Sequence, residues 1–208
     1  MKISICGPIC SDNVKLTKEY IKSWGSYKIS EASLIVSEKL NTAIDKDSLY
    51  KLLNDTIDDA MSYRKNDKIL FSCNVIDILC KFFRLKAKDD NFVDDTVLQK
   101  VIHLTKQGLH FYDIIYFLPY LEKYNNTVFE DAEYAALKEL NNFYLEIQDS
   151  YIKNSTWLFD FKSIDGAPAL IEIFGNIDEQ MQMIKLYLNN DGEAYGKDDS
   201  LIQQVINN

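Results

Sequence analysis

Residues that interrupt or crosslink a chain are scarce here. Three prolines and seven glycines in 208 residues leave no composition for long disordered linkers, and no internal repeat is visible, so a compact ordered chain is expected. The four cysteines, Cys6, Cys10, Cys73 and Cys80, form none of the tight C-x-x-C pairs that zinc sites use, and they read as reduced, buried thiols. Only two histidines occur, His103 and His110, and no serine or cysteine lies in a nucleophile elbow, which disfavours triad chemistry. Long apolar runs are missing as well. The stretch 114–118 (IIYFL) is among the longest, far short of the ~20 residues that span a bilayer, and the start is too brief in apolar residues for a signal-peptide core. A cytoplasmic protein with no membrane association is expected.

Positive charge is in deficit, with 23 Lys and Arg against 32 Asp and Glu, for a formal net charge of −9. Such a chain repels polyanions, so generic attachment to nucleic acid or anionic lipid is not expected, and a local basic patch stays open. What remains is ordinary globular composition, 47% apolar and 26% charged, enough for one domain over 1–208. The polar tail, 189–208, is expected to be partly mobile.

Along the chain, short apolar runs alternate with longer stretches of helical periodicity. Residues 2–6 (KISIC) read as a buried strand, followed by a helix carrying Val14, Leu16, Tyr20, Ile21 and Trp24 and capped by Ser11 or Asp12. Gly25 ends that helix. A weak strand at 27–30 precedes a helix with Leu34, Ile35 and Leu40, and Leu49, Leu52, Leu53, Ile57, Ala60 and Met61 mark another. Residues 69–72 (ILFS) form the next strand, with Val75, Ile76, Leu79, Cys80, Phe82 and Phe83 on the helix after it. The charged stretch 86–95 reads as a solvated loop, and helical spacing resumes from Val97 to Gly108. The run 114–118 is apolar at every position, hence buried on both faces and close to the sheet centre. A long amphipathic helix over 130–152, strands at 157–161 (WLFDF) and 170–174 (LIEIF), and a helix bearing Met181, Ile184 and Leu188 complete the series. The expected fold is α/β: three layers, α/β/α, around a mostly parallel central sheet. Ligands in such sheets lie beyond the carboxyl ends of the strands, which gathers the loops after Cys6, Phe71, Leu118 and Phe174 around one crevice.

The first of those loops has the outline of a phosphate cradle. A P-loop, G-x-x-x-x-G-K-[ST], follows a buried strand so that backbone N–H groups and a lysine hold phosphates while a hydroxyl holds Mg²⁺. Counted from Gly7, the second glycine falls on Asp12, the lysine on Asn13 and the hydroxyl on Val14. Lys15 and Thr17 stand just downstream. Asp12 would also set an anion beside an anion.

Four segments carry a family resemblance: ISICGP at 3–8, ILFSCNVIDILC at 69–80, YDIIYFLP at 112–119 and LIEIFGNIDEQMQMI at 170–184. With them the chain resembles P-loop nucleoside and nucleotide kinases, in particular the group related to AAA-type ATPases that is common in bacteriophages. The resemblance implies a P-loop kinase-like fold. It also implies an Asp-Arg pair where Ser72 and Cys73 stand, and a lid-helix arginine where 131–137 reads DAEYAAL. Phosphoryl transfer is catalysed almost wholly by positioned positive charge, and one lost arginine finger can cost ~10³–10⁵ in rate. Two readings stay open. In the first, the chain is a pseudokinase with no catalytic residues, no metal and no cofactor, a binding or assembly protein of phage origin whose partner is another protein. Its many tyrosines fit an interface and a homo-oligomer is compatible with it. In the second, it is a divergent nucleoside or nucleotide kinase that holds ATP and Mg²⁺ through Gly7, Asp12, Asn13, Val14, Lys15 and Thr17, with Asp77 for substrate or metal.

Overall fold

The computed structural model describes residues 1–122, 130–159 and 167–195. Five strands form one sheet: β1 (Lys2–Cys6), β2 (Lys28–Ile29), β3 (Ile69–Phe71), β4 (Ile114–Phe117) and β5 (Ala169–Glu172), in the order β2-β3-β1-β4-β5. Every pairing is parallel, with Ser4 beside both Phe71 and Ile115 in the central register. Parallel neighbours require crossovers, and the helices that make them cover both faces.

Alternation along each strand divides the interior in two. Ile3 and Ile5 of β1, Leu70, Ile114 and Tyr116 face α1 (Cys10–Ser23) and α7 (Ile177–Lys185), whose Leu16, Tyr20, Met181 and Ile184 close that core. Cys6, Phe71, Ile115 and Phe117 point the other way, into a larger core built by α3 (Lys46–Ser62), α4 (Val75–Lys88), α5 (Asp95–Leu109) and α6 (Asp131–Ile152). The helix α2 (Glu31–Leu40) packs against α1 and α3 and joins the two layers at the β2 edge. This is a three-layer α/β/α fold. Among the described residues no helix is long and apolar enough to cross a membrane.

Several local expectations need correction. The helix α1 begins at Cys10 with Ile9 at its N-cap and no side-chain cap, so Asp12 lies inside the first turn rather than before it. The helix α4 continues through Lys88, because Lys86 and Lys88 complement the negative end of its dipole, and the connecting stretch shrinks to the residues before Asp94, which caps α5. The last strand runs Ala169–Glu172, although Ile173 N still donates to Phe117 O at 2.9 Å. No strand forms at 157–159. Asn154 takes a left-handed φ of 53° after α6, and the turn that follows drives Leu158 and Phe159 into the larger core. Residues 160 and 161 of that expected strand lie outside the described residues.

The start of the polar tail is fastened to the sheet edge. Trp24 Nε1 donates to Asn189 O at 3.2 Å, Tyr27 Oη donates to Gly192 O at 2.6 Å, and Lys68 pairs with Glu193 at 3.0 Å. Gly192 has φ +75°, and a Cβ there would come within 2.8 Å of Trp24, so glycine is required at that turn. The remainder of the tail, 196–208, lies outside the described residues.

Candidate functional site

The connection from β1 to α1 is only Gly7, Pro8 and Ile9. It is short because β4 passes close beneath it: Leu118 N donates to Cys6 O at 2.8 Å, and a Cβ on Gly7 would come within 2.4 Å of Leu118 O. Only glycine fits there. Its own N–H is not open to the crevice, since it donates to Asp77 Oδ1 at 3.1 Å. Pro8 has no N–H to offer, and Ile9 O accepts from Asp12 N and Asn13 N at 3.0 and 3.3 Å as the helix begins.

Asp77 reaches the loop from the first turn of α4. Its Oδ2 accepts from Asn74 N at 2.7 Å in a capping box, while Asn74 Oδ1 accepts from Ile76 N at 2.7 Å and Asn74 Nδ2 donates to Ser4 Oγ at 3.0 Å. Its Oδ1 accepts a second bond, from Tyr144 Oη of α6 at 2.5 Å. The residue is 3% exposed. Burial pushes its carboxyl up to about 6, and the bonds from Tyr144, Asn74 and Gly7 hold that rise in check. The thiols around it are inert for the same reason: burial pushes Cys6, Cys73 and Cys80 well above the usual thiol range and Cys10 up to about 12.

The other sequence-predicted residues point elsewhere. Lys15 is exposed and pairs with Asp12 at 2.9 Å, along the solvent side of α1. Thr17 is buried and its hydroxyl donates back to Asn13 O at 2.7 Å. Asn13 is buried under Gly7, donating to Gly7 O at 3.4 Å and leaving its Oδ1 without a partner, and Val14 is half-buried. Ser72 belongs to a hydroxyl cluster, 3.4 Å from Ser33 Oγ and 3.1 Å from Ser37 Oγ. Gly7, Asn13 and Asp77 are therefore brought together, while Lys15 is not brought to them and Thr17 meets only the backbone of Asn13. Among the described residues no group of three or more His, Cys, Asp or Glu could hold a metal ion.

Two spaces flank the loop. One, of about 60 Å³, lies among Ile9, Asn13, Leu118, Tyr120 and Phe174, too small for a nucleotide base. The other is a cleft of about 420 Å³ bounded by the loop, Asn41 after α2, α4 and the start of α6. Lys81 and Arg84 line it with Glu133, and Leu137, Leu140 and Tyr144 form its apolar side. Sequence reasoning missed Lys81 and Arg84, although Asp77, Lys81 and Arg84 at i, i+4 and i+7 mark one helix face. A larger groove, about 970 Å³, lies at the opposite ends of the strands beside Met1, Ile114 and Tyr187, with Lys65, Lys68, Asp113 and Glu193 on its walls, away from the loop after β1.

Comparison with known proteins bears on the fold. A chain of deoxyadenosine kinase from M. mycoides, solved with the products dCMP and a flexible dCDP, superposes with a TM-score of 0.56 at 16% identity, covering 88% of this chain and 96% of that one. The same enzyme with bound dATP gives 0.47 at 18% identity over 100% of both chains, and thymidylate kinase from Candida albicans gives 0.47 at 14% identity over 88% of each. No family model and no curated protein sequence matches. The fold is P-loop kinase-like, and identity this low transfers the fold alone.

Proposed function

We propose that this P-loop kinase-like protein is a pseudokinase: it does not transfer phosphate and acts by binding, with another protein as partner. The observation that carries the reading is the bond from Gly7 N to Asp77 Oδ1, which puts the chain's own carboxylate on the first donor of the loop. ATP and Mg²⁺ do not fit that loop as it stands. A phosphate brought to Gly7 would meet a buried carboxylate instead of a lysine, and the hydroxyl of Thr17 is committed to its own helix. Ser72, Cys73 and the alanines of the α6 start add no compensating positive charge at the loop. A cytoplasmic setting, that of the host if the gene is phage-borne, is part of the same proposal.

One observation favours a second reading. Lys81 and Arg84 supply positive charge beside a cleft large enough for a small substrate, which a divergent nucleoside kinase would need. Because the M. mycoides enzyme is described with dCMP, dCDP and dATP, deoxynucleosides and deoxynucleoside monophosphates are the acceptors to offer. Labelled γ-phosphate from ATP with Mg²⁺ is followed onto them. No transfer above a protein-free control is expected, and turnover that disappears in Lys81→Ala would establish the kinase reading instead.

A further inference from the structure

We infer that the cleft between α4 and α6 binds a small organic anion with an apolar body, its charge held by Lys81 and Arg84 and not by the Gly7 loop. The inference deepens the binding reading above and rests on it. Lys81 and Arg84 are three residues apart on α4 and face the same space, so each raises the cost of the other's charge. Burial, and then Arg84, lower the Lys81 ammonium from its ordinary value. Among the described residues no carboxylate pairs with Lys81. Its Nζ instead donates to Leu40 O at 2.8 Å and reaches Thr42 O at 3.5 Å, which fixes the ammonium at the cleft wall. Arg84 has only a long contact, 3.6 Å from Nε to Glu139, and that Nε is buried without a hydrogen bond.

Lys81, without a carboxylate partner among the described residues, and Arg84, with only the 3.6 Å pairing to Glu139, are partly desolvated cations under-compensated in charge, a cost that an anion in the cleft offsets. The start of α1 contributes in the same sense. Ile9 and Cys10 line the cleft at the start of this 14-residue helix, which has no side-chain cap there, although Asp12 in its first turn offsets part of that positive end. Of the two acids at the cleft, Asp77 is turned away into its bonds with Gly7, Asn74 and Tyr144, and Glu133 receives Glu130 N at 3.4 Å on the α6 rim. The apolar side, from Leu40 to Leu140, calls for an aromatic or aliphatic body on the ligand. Phosphate monoesters and carboxylates both satisfy this chemistry.

The test titrates the full chain at low salt with phenyl phosphate, benzoate, inorganic phosphate and uncharged benzamide, read by calorimetry. Saturable one-to-one binding of phenyl phosphate or benzoate is expected, at least tenfold tighter than inorganic phosphate, with none for benzamide; the tighter of the two names the head group. Lys81→Ala should weaken it tenfold or more, Lys81→Arg should keep most of it, and Lys153→Ala, on the far end of α6, should leave it unchanged. If Lys81→Ala proves unfolded by circular dichroism, Arg84→Gln carries the same prediction. Absence of saturable binding by wild type, or equal affinity in the Lys81 and Arg84 variants, overturns the site. Phosphate transfer with intact anion binding would remove only the non-catalytic reading, and loss of both binding and transfer would remove only the site.

Discussion

Asp77 keeps its carboxyl where water is excluded, and the consequence is a stability that runs against ordinary acid denaturation. Its folded pKa, about 6, lies above the unfolded value of 3.8. The stabilisation linked to this group is therefore complete below pH 3.8 and is lost as pH rises through about 6, a difference of at most about 3 kcal/mol. Urea unfolding of wild type and Asp77→Asn from pH 4 to 8 should show a difference that changes with this profile. At pH 7 the amide also turns one donor against Gly7 N or Asn74 N, costing roughly 1–3 kcal/mol. Tyr144→Phe removes a bond that holds the pKa down, so the loss should extend to higher pH and be larger. Gly7→Ala forces a Cβ to within 2.4 Å of Leu118 O and should destabilise by about 1–3 kcal/mol, read from the denaturant midpoint. Asp77 was visible in the sequence as a polar residue in an apolar frame. Its partner Gly7 lies 70 residues away, and no local pattern encodes that bond.

Elements that are buried on both faces were the most legible. The runs that became β3 and β4 have no polar face to hide, so composition alone marks them, and β1 hides only Lys2 and Ser4, each hydrogen-bonded where it is buried. Where tertiary packing overrides local preference, the pattern misleads. The apolar run at 157–159 fills the core as a turn, and α1 starts without the cap that Ser11 or Asp12 offered, because the close pass of β4 under Gly7 fixes where the chain must begin to coil. The start of α4 is held instead by a full box, and Asn74 joins it to β1 through Ser4. Asn74→Ala removes both the cap and that link and should cost about 1–2 kcal/mol in thermal or urea unfolding. Asp77 keeps its bond from the backbone N–H of residue 74 in that variant, so the pH profile above should stay in place.

For the molecule as a whole, two cores on either side of one sheet bring the loop after β1, the start of α4 and the body of α6 to a single point. That convergence is a property of the sheet order, and alternation of strands and helices was enough to anticipate the layers but not which loops meet. The same convergence lets a carboxylate from α4 and a hydroxyl from α6 close over the glycine of a cradle. In the proposed reading a kinase-like frame and a phosphate site come apart: the frame needs Gly7, and the chemistry needs its N–H free. Calorimetric titration of ATP into the full chain, with and without Mg²⁺, tests this most directly. No saturable Mg²⁺-dependent binding is expected in wild type, with the same flat result in Lys15→Ala. Tight Mg²⁺-dependent binding by wild type that Lys15→Ala abolishes would contradict it.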